Sequence, residues 1–170
     1  MNNSTYLFTR RIGAKRDDKV LEIGSLNVNG TIRDNFPTAS EYVGIDIREG
    51  KCVDVVMFAE DLPKHYKAGY FDMVLSCNTM EHIEHWKEAL AASWEVLRMG
   101  GRMCIVTPTA EKKRHNHPWD YWRWTLGDYK KIFKDQGILK AEEVKPAGIG
   151  VLIEKRTDTL FLDIEPFKVK

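Results

Sequence analysis

Cysteine is scarce: Cys52, Cys77 and Cys104 are the only three, an odd number set wide apart. That argues against a disulfide framework and a cysteine-built zinc cluster. It fits a protein kept reduced inside the cell. Long apolar runs are missing too, and none approaches the ~20 residues that cross a bilayer. Neither charge sign dominates, with 26 Lys and Arg against 25 Asp and Glu and a net charge of +1. So balanced a chain has no general pull toward nucleic acid or an acidic membrane. No repeat or low-complexity segment interrupts it. The start, Met1-Asn-Asn-Ser-Thr-Tyr6, lacks the apolar region of a signal peptide. The expectation is a cytoplasmic protein without membrane attachment. Its 170 residues suit one domain with one core.

Apolar stretches and breakers alternate along the chain. Tyr6, Leu7, Phe8 and Ile12 among basic residues predict a short amphipathic helix within 5–16. Strands are predicted at 19–24, 41–47, 53–57, 70–77 and 103–107. A short helix over 28–36 is stopped by Pro37. A longer one, from about Ile83 to Met99, carries Trp86, Leu90, Trp94 and Leu97 at helical spacing and ends at Gly100-Gly101. Thr125 reads as the N-cap of a last helix, striped by Leu126, Tyr129, Ile132 and Phe133 and ended by Gly137. Strands at 138–144 and 150–155 follow, joined by Pro146-Ala147-Gly148. Strands alternating with helices imply an α/β fold with a doubly wound, mostly parallel sheet. The last two strands must be antiparallel, since a parallel crossover needs about a dozen residues.

Two stretches carry the chemistry. Val20-Leu-Glu-Ile-Gly24 reads as a buried strand running into a glycine turn, and Tyr42-Val-Gly-Ile-Asp46 as a second strand ending on an acid. Gly24 permits a sharp turn that a side chain would forbid. Ser25 and the amides after it are then placed to approach a ligand. Asp46 follows Gly24 by 22 residues, close to the ~20 expected of a ribose-binding acid. A carboxylate at the end of an apolar strand is costly to bury unpaired, and two ribose hydroxyls would satisfy it. The plain alternatives are a strand–helix turn that binds nothing and an acid that caps a nearby turn. Taken together, the pair points to a ribose-bearing ligand.

Five motifs in order resemble the class I S-adenosylmethionine-dependent methyltransferases, of the small type 11-like group. They are Val20–Gly24, Tyr42–Asp46, Ala59-Glu-Asp-Leu-Pro63, Phe71–Asn78 with Glu81-His82, and the helix and strand from Glu95 to Pro108. The likeness covers about 19–155. It implies a Rossmann-like methyltransferase fold, a seven-stranded sheet with an antiparallel closing strand, in a single domain over 1–170. It also implies S-adenosyl-L-methionine as cofactor. By position, Glu22, Gly24 and Ser25 would shape the pocket for its methionine part. Asp46 would hold the ribose and Ile47 would pack on the adenine. Ala59, Glu60 and Asp61 would edge the ring, and Asn78 would face the amine or the acceptor. Two features depart from the family pattern. Leu26 and Val28 stand where its second and third glycines fall, and Phe58 stands where an adenine-binding acid is common. Either Glu60 or Asp61 replaces that acid, or stacking and backbone amides hold the adenine. NAD-binding proteins favour the full three-glycine fingerprint for a pyrophosphate, and this turn lacks it.

The acceptor side is less defined. Glu81-His-Ile-Glu-His85 has neither zinc-hydrolase spacing, and no metal is expected. His82 follows the strand that leads to the cofactor and is placed to act as general base; the alternative is a turn histidine bonded to backbone. His115-Asn-His-Pro-Trp-Asp-Tyr-Trp-Arg-Trp-Thr125 is the oddest composition in the chain. Within it His117, Trp119, Asp120, Tyr121 and Arg123 are candidates for a substrate wall or lid, with Arg123 pairing to an acidic substrate or to Asp120. The plain alternative is that these aromatics cap the sheet. The expected reaction is O- or N-methylation of a small-molecule or sugar acceptor. The alternatives are a nucleic-acid or protein methyltransferase using Lys112-Lys-Arg114, Lys130, Lys131 and Lys134, or a non-catalytic cofactor-binding partner subunit. Nucleic acid is the weaker prospect, because solvated helix faces carry such charges routinely and the Pro-Pro-aromatic motif of amino-directed DNA methyltransferases is missing. Oligomeric state stays open.

Overall fold

The structure, a computed structural model, describes residues 3–112, 119–146 and 148–169. Its elements run α1 (Asn3–Ile12), β1 (Lys19–Ile23), β2 (Glu41–Asp46), β3 (Val55–Val56), α2 (Leu62–His65), β4 (Phe71–Cys77), α3 (Trp86–Val96) and β5 (Leu97–Pro108). They continue with β6 (Trp122–Arg123), α4 (Leu126–Ile132), β7 (Gly137–Val144), β8 (Gly148–Glu154) and β9 (Phe167–Lys168). Seven strands form one sheet in the order β3-β2-β1-β4-β5-β8-β7. The pairs from β3 to β5 are parallel, and β8 runs antiparallel to both β5 and β7. The α/β doubly wound sheet and its antiparallel closing pair are as the sequence pattern implies.

Strand alternation divides the core between two faces. Leu21, Ile23 and Val74 point to one, where Trp86, Leu90 and Trp94 of α3 and Tyr129, Ile132 and Phe133 around α4 cover them. Val20, Met73 and Leu75 point to the other, under Phe8 of α1 with Ile32 and Phe36. A sheet buried on both faces explains why its strands read as near-continuous apolar runs. Phe8 sits so close to β8 that a Cβ on Gly150 would lie 2.8 Å from its ring.

Element ends follow local chemistry. α4 starts on a capping box in which Thr125 and Asp128 exchange side-chain and backbone bonds. α1 stops earlier than expected because Gly13 turns at φ +51°. α3 ends at Val96, not at the glycine pair. Buried Lys155 donates to the carbonyls of Trp94 and Leu97 at 2.7 and 2.9 Å, satisfying its last turn. Gly100-Gly101 instead lies within β5, where Gly100 takes φ +70°. The helix expected at 28–36 is absent; only a 3₁₀ turn at Arg33–Asn35 forms there. Asn27 Oδ1 accepts from the Gly30 amide at 2.8 Å and Thr31 Oγ1 from the Arg33 amide at 3.0 Å. Such side-chain bonds hold the backbone in turns instead of a helix. The chain end packs back on the core through Leu160, Leu162 and Ile164, and β9 pairs antiparallel with β6. No described helix is long and apolar enough to cross a membrane.

Candidate active site

β1, β2 and β4 open at their carboxyl ends into a cavity of about 500 Å³. This is the switch point, where the chain leaves β1 toward β2 on one side while β4 lies on the other. Gly24 makes the turn at φ +75°, and a Cβ there would lie 2.1 Å from Thr79 Oγ1. Dihedral and space each demand glycine. The amides behave otherwise than the sequence suggests. Gly24 and Ser25 both donate to the Ile45 carbonyl, at 2.8 and 3.0 Å, which ties the turn to β2. The Ser25 side chain packs against Gly44 of β2, and its buried Oγ has no hydrogen-bond partner among the described residues.

Asp46 closes the β2 end. Its carboxylate accepts from the Arg48 amide at 3.0 Å and the Leu26 amide at 3.4 Å. A carboxylate has about four acceptor sites, so capacity remains for two hydroxyls. Ile47 and Phe58, both 60% exposed, flank it as apolar walls of the cavity. Ala59 and Glu60 line the same edge. Asp61 lies outside the lining, paired to Lys64 at 2.6 Å. Glu22 lies at the cavity floor, and the Tyr42 hydroxyl donates to it at 2.7 Å. Burial pushes the Glu22 carboxyl up to about 7, against the opposing pull of Tyr42 and Arg33. Asn78 takes a left-handed φ of +55° and donates from Nδ2 to Thr5 Oγ1 at 3.1 Å, fastening α1 beside the cavity.

The opposite wall begins with the 3₁₀ turn at Met80–His82. His82 lines the cavity, and its Nδ1–H donates to the Trp119 carbonyl at 2.7 Å. Tyr121 completes this wall, and its amide donates to the Glu81 carbonyl at 2.8 Å. Trp122 Nε1 donates to Ile83 and Glu84 carbonyls at 3.0 and 3.1 Å. Segment 119–123 is thereby stitched to the turn after β4. Asp120 and Arg123 form a buried two-pronged ion pair away from the cavity lining. Trp119 contributes its carbonyl, while its exposed ring is not part of the lining. His117 lies outside the described residues. Among the described residues no three His, Cys, Asp or Glu side chains converge as a metal site.

Sequence reasoning assigned no role to Thr79, which forces glycine at 24, or to Glu81, whose carboxyl burial pushes up to about 8. Nothing local marks Thr79, because its contact with Gly24 is tertiary. Glu81 did carry a signal, as an acid beside His82 in the fourth motif.

A family model described as a methyltransferase domain matches residues 5–137. The chain belongs to the methyltransferase domain family. With that membership come the enzyme class and its methyl donor, S-adenosylmethionine. No curated protein sequence matches the chain. Among solved structures, a candidate methyltransferase of Bacillus halodurans superposes with a TM-score of 0.73 at 14% identity, over 91% of this chain and 100% of that one. An S-adenosylmethionine-dependent methyltransferase of Aquifex aeolicus gives 0.66 at 14%, over 88% of each chain. The Burkholderia thailandensis 1,6-didemethyltoxoflavin-N1-methyltransferase, with its substrate and S-adenosylhomocysteine bound, gives 0.69 at 14%, over 91% of this chain and 77% of that one. At such identities the likeness is one of fold. This methyltransferase's own cavity fits the donor: a glycine turn without room for a Cβ and an acid with acceptor capacity at Asp46.

Proposed function

We propose that this methyltransferase modifies a small-molecule acceptor, sugars included, at oxygen or nitrogen. The observation that carries the reading is the stitched wall of His82 and Tyr121, which bounds a cavity of about 500 Å³ that must also hold the donor. That volume is in the range of roughly 300–1,000 Å³ typical of small-molecule sites. Among the described residues of the basic set, Lys112, Lys130, Lys131 and Lys134 all stand outside the cavity lining, which disfavours nucleic acid as the acceptor.

S-adenosylmethionine, when bound, supplies a methyl group on a sulfonium that is already electrophilic. The chain's work is placement. Asp46 would hold the ribose hydroxyls, with Ile47 and Phe58 as the apolar walls for the adenine. Glu22, at the cavity floor, and the Gly24–Ser25 turn would face the methionine end. Tyr121 and His82 bound the acceptor and exclude water. His82, on the wall that faces the acceptor, is the candidate base for the proton that a hydroxyl or amine gives up.

A homocysteine-release screen over sugars, alcohols, amines, RNA and peptides tests the reading. Turnover on a small hydroxyl or amine compound supports it. Turnover confined to RNA or to peptides, with steep salt dependence in the RNA case, would replace it.

A further inference from the structure

The acid at the cavity floor has a partner with no role in the scheme above. Glu22 is 6% exposed, yet it lines the cavity. Among the described residues its one hydrogen-bond donor is the Tyr42 hydroxyl, 2.7 Å from Oε2. A carboxylate accepts at both oxygens, so Oε1 is left for a ligand. Tyr42 stands on β2 two residues before Gly44, which pairs with Glu22 in register, and alternation turns 42 and 44 to one face. Arg33 steadies the tyrosine. Its Nη2 donates to the Tyr42 carbonyl at 2.9 Å, and its guanidinium lies 4.8 Å from the ring centroid. Asp54 pairs with Arg33 at 3.0 Å and accepts from the Gly44 amide at 2.7 Å. A tyrosine held at its carbonyl and its ring face aims its hydroxyl at one fixed point.

Resting on the placement of the donor's methionine part over Glu22, we propose that Tyr42 is a positioning residue for donor binding: its hydroxyl occupies one oxygen of the Glu22 carboxylate and presents the other to the donor's ammonium group. Where Glu22 carries a proton, that proton leaves to solvent as the ammonium docks. No covalent bond forms or breaks elsewhere.

The surroundings set the charge. Burial is the largest influence on Glu22 and pushes it up to about 7. The Tyr42 hydrogen bond opposes that most, then Arg33, while Asp54 adds to the rise. Glu22 also discourages ionisation of Cys77 on β4. α1 buries Thr5, Phe8 and Thr9, none of them charged. Asp46, Arg48, Glu60, His82, Glu84 and His85 also line the cavity. The Tyr42 hydroxyl keeps its proton, because burial and Glu22 push its ionisation well up. It therefore remains a donor, and a hydrogen bond to the charged form of Glu22 favours that form. Donor binding strengthens as pH rises through 7, since below it the carboxyl must first give up its proton.

Two measurements test this. Carboxyl ¹³C NMR on the ligand-free full chain follows Glu22, identified by the signal lost in Glu22→Gln. Its inflection is expected near 7, and about one pH unit higher in Tyr42→Phe, which loses the bond to the charged form. Calorimetric titration of S-adenosylhomocysteine, which carries the same ammonium group, then reads the ligand. Wild-type affinity is expected to rise about tenfold from pH 6 to pH 8. That rise vanishes in Glu22→Gln, which leaves the other ionisable lining groups in place. Tyr42→Phe is expected to bind about fivefold more weakly at pH 7 and only about twofold more weakly at pH 8. An unmoved Glu22 inflection in a folded Tyr42→Phe protein, or a weakening equal at pH 6 and pH 8, overturns the proposal. Should Tyr42→Phe not fold, the tyrosine Cζ signals of the wild type decide. One tyrosine must follow the Glu22 titration, and none following overturns the proposal. The donor reading fails separately. No S-adenosylhomocysteine binding at any pH, with the Glu22 shift intact, overturns the placement of the donor, and the proposal falls with it. Binding that ignores pH overturns the proposal alone.

Discussion

The two sides of the cavity are built on different plans. The donor side comes from the ends of β1 and β2, joined by short local bonds: Gly24 and Ser25 to Ile45, and Leu26 to Asp46. The acceptor side comes from segments 80–85 and 119–123, distant in sequence and held by Tyr121 to Glu81, Trp122 to Ile83 and His82 to Trp119. A third segment braces them, since β9 pairs with β6 and the Val169 amide donates to the Tyr121 carbonyl at 2.8 Å. A site for one fixed donor can rest on strand ends, where the sheet dictates geometry. A wall that selects an acceptor rests on loops, which can vary while the sheet stays the same.

Breaking the donor side should have the larger effect. Gly24→Ala needs both a strained positive φ and a Cβ 2.1 Å from Thr79 Oγ1. The expected cost is about 4 kcal/mol or more, in the range reserved for a named structural conflict. Urea unfolding reads it, and a loss under 1 kcal/mol would mean the turn is softer than drawn. On the acceptor side, Asp120→Ala leaves Arg123 buried and unpaired. That should cost about 3–5 kcal/mol, and the double change Asp120→Ala with Arg123→Met should recover part of it. No recovery would place the damage elsewhere than in the unpaired charge.

The same contrast governs what could be read beforehand. Asp46 and Gly24 were legible because spacing along two strands fixes where both meet. The mostly parallel sheet and its closing pair followed from periodicity and one short turn. The missing helix at 28–36 was not legible, since Asn27 and Thr31 compete with it through bonds that apolar spacing does not register. From composition alone Arg123 could pair with an acidic substrate or with Asp120. The structure pairs them with each other in the interior, which only the path of the 119–123 loop decides.

Acidity gives a smaller and graded test that spans both sides. Glu22, up at about 7, and Glu81, up at about 8, both bind a proton more tightly folded than unfolded, from an ordinary value of 4.5. Their contribution to stability is fully present below about pH 4.5 and is lost as pH rises through 7 to 8. Unfolding free energy should therefore fall across that window, by about 1 kcal/mol per pH unit for each group. Glu22→Gln and Glu81→Gln should each flatten part of the slope in denaturant titrations at several pH values. A stability that rises from pH 5 to pH 8 would contradict the burial of these carboxyls.

The most direct measurement is a calorimetric titration of S-adenosylhomocysteine into the wild-type protein, Asp46→Ala and His82→Asn, each checked for an intact fold. The predicted result is one site per chain in the wild type, binding weakened by roughly 100-fold in Asp46→Ala through loss of two charge-assisted hydrogen bonds, and unchanged affinity in His82→Asn. Equal affinity in the wild type and Asp46→Ala, or no binding by the wild type, would contradict the placement of the donor at the β1–β2 end of the cavity.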